Sequence, residues 1–205
     1  MFTEVLTENQ KRLLPFISSF SKDYYLVGGT AIALQIGHRY SIDFNLFTNT
    51  VVNTLKIKKN LNKFNFGYRT RHQAYDQLHI DVFDVKLTFF EYPYRIKADL
   101  WFEKYCRMPQ LLDLAAMKCL ALGGKAKWKD YVDLYFLIKN RFTLTQIIEK
   151  AIEIFSENFN PKLLRQQLAY FNDIDYREQV IFLPGFETDE NEIKYFLTEI
   201  ALETF

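Results

Sequence analysis

The sequence predicts an α+β protein, with a mixed part over residues 1–105 and a helical part over residues 106–205. Three observations predict it. Short apolar runs bounded by turn residues, the mark of strands, fall in the first half. From Pro109 onward the apolar residues recur at helical spacing almost without a break. Strand-rich patterning followed by helix-only patterning points to segregated layers rather than alternating β–α units.

Each element has its own justification. Glu8 to Phe20 carries Leu13, Leu14, Phe16, Ile17 and Phe20 at helical spacing. Tyr24 to Val27 is a short buried strand that stops at Gly28 and Gly29, and a helix then runs from near Thr30 to Gly37. Three of the seven glycines lie in residues 28–37, so a strand, a glycine turn and a helix share few residues. Ser41 to Phe47 reads as a strand with Ile42, Phe44 and Leu46 on one face and Asp43 and Asn45 on the other. Residues 51–64 read as a helix. Tyr68–Gln73, Gln77–Val82 and Val85–Glu91 read as a strand meander, ended by Tyr92-Pro93-Tyr94. In the helical part, Pro109 is placed to start a helix over Leu111–Leu122, and Gly123-Gly124 stops it. Trp128–Lys139, Thr143–Phe155 and Leu163–Phe171 follow. Pro184-Gly185 marks a loop before a last helix from Asp189, where Asp189 and Glu192 are spaced as a capping box.

Composition narrows the class. A chain of 205 residues can bury about 70% of its unfolded surface. With 26 basic and 25 acidic residues, it carries no global basic field of the kind that marks a nucleic-acid binder. Cys106 and Cys119 have no metal-ligand spacing and imply no disulfide framework. The first residues lack the apolar core of a secretory signal. No run of about 18 apolar residues suggests a membrane span. Together these predict a cytoplasmic protein. His38, His72 and His79 lack zinc-site spacing, and GxSxG, Walker A and GxGxxG motifs are absent.

Four places could carry chemistry. Gly28-Gly29-Thr30, between a strand and a helix, could cradle an anion on backbone N–H groups, or be only a tight turn. Asp43 and Asn45 point the same way, about 7 Å apart, and could share a divalent ion, although an amide is a weaker ligand than a carboxylate. Lys118 sits in an apolar stripe with Leu111, Leu114, Ala115 and Leu122. It is either a snorkelling stem or a phosphate-binding ammonium. Asp130 and Asp133 share a helix face. Their bland alternative is compensation of the helix dipole plus a surface pair between Lys129 and Asp133.

The run Tyr24-Tyr25-Leu26-Val27-Gly28-Gly29-Thr30 through Gly37-His38-Arg39 and Ser41-Ile42-Asp43-Phe44-Asn45-Leu46-Phe47 resembles the AbiEii/AbiGii toxin family. That family belongs to the DNA polymerase β-like nucleotidyltransferase superfamily. The resemblance continues through Val85–Tyr94 and through Leu111–Leu137, in the same order. It implies a nucleotidyltransferase-like mixed β-sheet core with flanking helices, followed by a C-terminal helical part that completes the cleft. It implies transfer of a nucleotidyl group from an NTP to an acceptor with Mg²⁺, an RNA acceptor such as tRNA, and a cognate antitoxin as partner. By resemblance, Gly28, Gly29, Thr30, Arg39 and Lys118 bind the nucleotide. Asp43 and Asn45 hold metal. Asp43, Asp130 and Asp133 serve catalysis, one of the latter two positioning or deprotonating the acceptor. Two positions depart from the family pattern: Asn45 and Thr88 stand where it carries carboxylates. The competing expectation is therefore a degenerate nucleotide-binding or protein-interaction module on the same fold. Lys125, Lys127, Lys129, Arg69 and Arg71 are candidates for an RNA-facing surface.

Overall fold

The computed structural model describes residues 1–124 and 126–203. They form two compact units, Met1–Gln110 and Leu111–Phe205.

The first unit is built on a mixed sheet of seven strands in the order β3-β4-β5-β2-β1-β7-β6. The strands are β1 (Tyr25–Val27), β2 (Asp43–Thr48), β3 (Arg69–Gln73), β4 (Gln77–Val82), β5 (Val85–Glu91), β6 (Leu100–Phe102) and β7 (Cys106–Met108). The helices of this unit are α1 (Glu8–Ser18), α2 (Gly28–Ile36) and α3 (Thr54–Lys63). β3, β4 and β5 form the antiparallel meander that their spacing predicts. β5 then lies parallel to β2, and β2 antiparallel to β1. β6 and β7 are not legible as strands in the sequence. Each has three residues without the glycine turn that marks the end of β1, and β7 joins β1 through a single pair, Tyr25 with Arg107.

The sheet has one apolar and one polar face. Phe44, Leu46, Leu78, Ile80, Leu87 and Phe89 are buried on the first. Phe89 packs edge-on against Phe20 and Tyr24, at 5.5 and 5.3 Å between ring centroids. Ile42 was expected on this face but is 49% exposed. The strand begins one residue later, at Asp43, so period-two alternation does not govern Ile42.

The second unit is helical: α4 (Leu111–Leu122), α5 (Trp128–Asn140), α6 (Leu144–Phe155), α7 (Pro161–Leu168) and α8 (Glu190–Leu202). α4 packs on α5, α6 and α7, and α8 packs on α5 and α7. α7 starts at Pro161, earlier than the spacing suggests. Asn160 caps it by accepting from the N–H groups of Lys162 and Leu163. Asp189 caps α8 through the N–H of Asn191, but Glu192 does not close a capping box. Its carboxylate accepts instead from Tyr135 Oη at 2.6 Å and Lys139 Nζ at 2.9 Å. No described helix is long and apolar enough to cross a membrane. Both cysteines are free and buried, and burial pushes the Cys119 thiol up to about 12.

The two-faced sheet makes a direct prediction. Phe89→Ala should cost about 3–5 kcal/mol in urea denaturation, while Ile42→Ser should stay within about 0.5 kcal/mol of the parent. Equal costs for the two would contradict the register.

Candidate functional site

The polar face of the sheet is where the sequence candidates of the first unit converge. Register across β2, β5 and β4 sets two rows: Asp43, Lys86 and Asp81, then Asn45, Thr88 and His79. Cross-strand partners project to the same face, so these six side chains share one surface. Asp43, Asn45, Lys86, His79 and Asp81 are half-buried, and Thr88 is buried. Beyond His79 lies His72, with ring centroids 5.6 Å apart. Burial, then the Lys86 ammonium and His72, hold the His79 imidazole below its ordinary pKa. It accordingly stands neutral at pH 7.

The glycine turn meets this surface from β1. Val27 pairs with Asn45, so Gly28 begins α2 directly beside the Asn45 amide. Gly28 has φ +74°, a conformation that favours glycine. A Cβ there would lie 3.1 Å from Asn45 Nδ2. No side chain caps α2, so its first-turn N–H groups keep their capacity for an anion.

Thr30 has another task. Its side chain is fully buried, and its hydroxyl is bonded to the Ser41 hydroxyl and lies 2.5 Å from the Asp43 carbonyl oxygen and 3.2 Å from Asp43 Oδ1. It latches the turn to the start of β2 rather than facing outward. Gln10, also fully buried, donates from Nε2 to the same carbonyl at 3.3 Å. The α1 capping box of Thr7 and Gln10 orients it. Gln10 and Ser41 escape the sequence reading. The pattern Thr7-x-x-Gln10 is visible as a capping box, but nothing local says that its glutamine also reaches β2. Arg39 is 4% exposed, and its Nη1 donates to the Tyr40 carbonyl at 3.0 Å.

In the second unit Lys118 neither snorkels nor lies open. It is 7% exposed. Its ammonium lies 2.8 Å from Asp130 Oδ1 and 2.9 Å from Asp133 Oδ2. Asp133 is fully buried, so it does not lie on the surface as expected, and Lys129 pairs with Glu178. Asp130 sits in the first turn of α5, where the dipole favours an anion, and also accepts from the Lys127 N–H at 3.4 Å. One ammonium held between two buried carboxylates is a structural triad in its own right.

The RNA-facing candidates are mostly engaged. Lys127 and Lys129 share Glu178, and Arg71 pairs with Asp81 at 2.6 Å. Lys125 lies outside the described residues.

The donor chemistry tests a metal site. Among the described residues no group of three or more His, Cys, Asp or Glu could hold an ion. Asp43 offers one carboxylate, Asn45 a neutral amide and Thr88 a neutral hydroxyl. That set suits a single Mg²⁺ whose remaining ligands come from water and substrate phosphates. It does not suit a two-metal clamp.

Comparison with known proteins bears on the fold. No protein-family model matches the chain. The uncharacterized protein aq_aa25 of Aquifex aeolicus is 30% identical over 183 residues, which cover 85% of this chain and 86% of that one. MenT4, the nucleotidyltransferase toxin Rv2826c of Mycobacterium tuberculosis, superposes with a TM-score of 0.63 at 12% identity, covering 94% of this chain and 80% of its own. JHP933 of Helicobacter pylori superposes with a TM-score of 0.57 at 17% identity, covering 96% and 91%. The fold is the nucleotidyltransferase fold, with a mixed sheet and flanking helices.

Two variants test the site's construction. Gly28→Ala should destabilise by about 1–2 kcal/mol, because a Cβ is disfavoured at that φ. Lys118→Ala should cost about 3–5 kcal/mol, since it removes the ammonium that two buried carboxylates share. Chemical denaturation measures both, and a Lys118→Ala protein as stable as the parent would rule out the triad.

Proposed function

We propose that this chain, which belongs to the same family as the Aquifex aeolicus protein aq_aa25, is a nucleotidyltransferase of the AbiEii toxin type. It would transfer a nucleotidyl group from an NTP to an RNA acceptor such as tRNA. The carrying observation is the strand register on the polar face. It sets the Gly28 turn, the uncapped start of α2 and the Asp43–Asn45 pair against one another on a nucleotidyltransferase fold.

The first-turn N–H groups of α2 take the triphosphate, whose charge the helix dipole favours. Asp43 and Asn45 would hold one Mg²⁺. The ion, when bound, neutralises phosphate charge and makes the α-phosphorus a better electrophile. Lys86, in register beside Asp43, adds a fixed positive charge where further carboxylates are missing. Thr30 and Gln10 hold the Asp43 backbone so that its carboxylate is positioned before substrate arrives. The phosphate-contact role of Arg39 and Lys118, and the acceptor role of Asp130 and Asp133, rest on the family resemblance alone. So does a cognate antitoxin.

A specific observation favours a second reading. Asn45 and Thr88 put two neutral groups side by side where carboxylates would share metal charge. That arrangement suits a protein that binds nucleotide and transfers nothing.

A transfer assay separates the two. The protein is incubated with each α-labelled NTP, Mg²⁺ or Mn²⁺ and total cellular RNA, beside Asp43→Ala and the pair Asn45→Asp/Thr88→Asp. Labelled RNA from the natural protein, abolished by Asp43→Ala, is the expected result. Label from the restored double variant alone would overturn the enzyme reading in favour of binding.

A further inference from the structure

Four aromatic side chains cluster on the polar face immediately beyond the Asp43–Asn45 pair. Phe47 lies two residues past Asn45 on β2, and Phe90 two residues past Thr88 on β5; they are strand partners. Their ring centroids are 5.2 Å apart. Tyr92 packs on Phe47 at 4.9 Å, and Tyr94 on Tyr92 at 5.3 Å. All four are half-buried rather than covered. The rest of this face carries Lys86, His79 and Asp81, so a ring cluster here is not the edge of a continuing apolar layer.

We propose that the Phe47–Phe90–Tyr92 platform seats the nucleobase of the nucleoside triphosphate. The inference rests on the nucleotide-binding reading above and extends it. Strand geometry puts Phe47 about 7 Å from Asn45 and about 13 Å from Asp43. A nucleotide with its phosphates at the Gly28 turn, laid along β2, carries its base onto these rings. Bases stack on aromatic side chains whatever their identity, because each presents a π-face.

Two further observations support a ligand here. Tyr25, the strand partner of Phe47, is 5% exposed, and its hydroxyl is buried without a hydrogen-bond partner. A buried phenol with no partner is costly. An incoming base edge, reached by a small shift of the platform, would satisfy it. The platform is also held in place. Asn49 Nδ2 donates to the carbonyls of Tyr92 and Tyr94 at 2.9 and 2.7 Å, and the Tyr92 N–H donates to the Thr48 carbonyl at 2.7 Å. Burial raises the pKa of both Tyr25 and Tyr92, so each phenol remains a neutral donor at physiological pH.

Calorimetric titration of the whole chain with ATP and, separately, with inorganic tripolyphosphate tests the assignment. Phe47→Leu and Tyr92→Leu should each weaken ATP roughly 5- to 100-fold and leave tripolyphosphate unchanged. Phe47→Tyr, which keeps a stacking face, should bind ATP as the parent does. ATP affinity unchanged in both leucine variants overturns the platform while leaving the nucleotide site standing. Equal losses for ATP and tripolyphosphate overturn it too, since the rings would then serve the phosphate end. A parent protein that binds neither ligand removes the nucleotide-binding reading itself, and the platform with it.

Discussion

A single buried hydroxyl joins the two halves of the candidate site. Thr30 stands in the first turn of α2 and bonds Ser41 and Asp43 at the head of β2. The glycine turn and the strand that carries Asp43 are consecutive in sequence, and one buried contact sets them against each other. Thr30 provides that link from inside, and Gln10 reinforces it from α1. Gly28 completes the arrangement by lacking a Cβ, which lets the turn close on the Asn45 amide. The Asn45–Thr88–His79 row and the aromatic platform beyond it both follow from the register that β2 sets.

The polar face carries charges of both signs and few carboxylates. Here the two rows contain Asp43 and Asp81, with Lys86 between them and a neutral histidine one row on. Arg71 already pairs with Asp81. Asp43 is left as the carboxylate beside the turn. The second unit contains a buried cluster of its own, Lys118 with Asp130 and Asp133, in which a cation is balanced before any ligand binds. Releasing Lys118 toward a phosphate would require one of those carboxylates to find a new partner.

Much of this was readable from the chain. The face shared by Asp43 and Asn45 follows from strand period alone, and the turn follows from three glycines in ten residues. Lys118 stood out because a lysine does not belong in an apolar stripe. The sequence did not reveal its partners, because i, i+3 spacing describes Asp130 and Asp133 on their own helix and says nothing of α4. Ile42 was misplaced because alternation was extended one residue before the strand begins. β6 and β7, as short as β1, lack the glycine turn that marks it. The aromatic platform was hidden by abundance: with 20 Phe and 13 Tyr, a few half-exposed rings cannot be told from a thick core until register puts them beside Asn45.

One carboxylate and one amide would leave room for one metal ion with the nucleotide. Electron paramagnetic resonance of Mn²⁺, titrated into the protein with a non-hydrolysable NTP analogue, tests it directly. One Mn²⁺ per chain, uncoupled to any neighbour and lost in Asp43→Ala, is the expected result. Two Mn²⁺ with a spin-coupled signal would contradict it, and would mean that ligands other than those on the polar sheet face complete an ordinary two-metal centre.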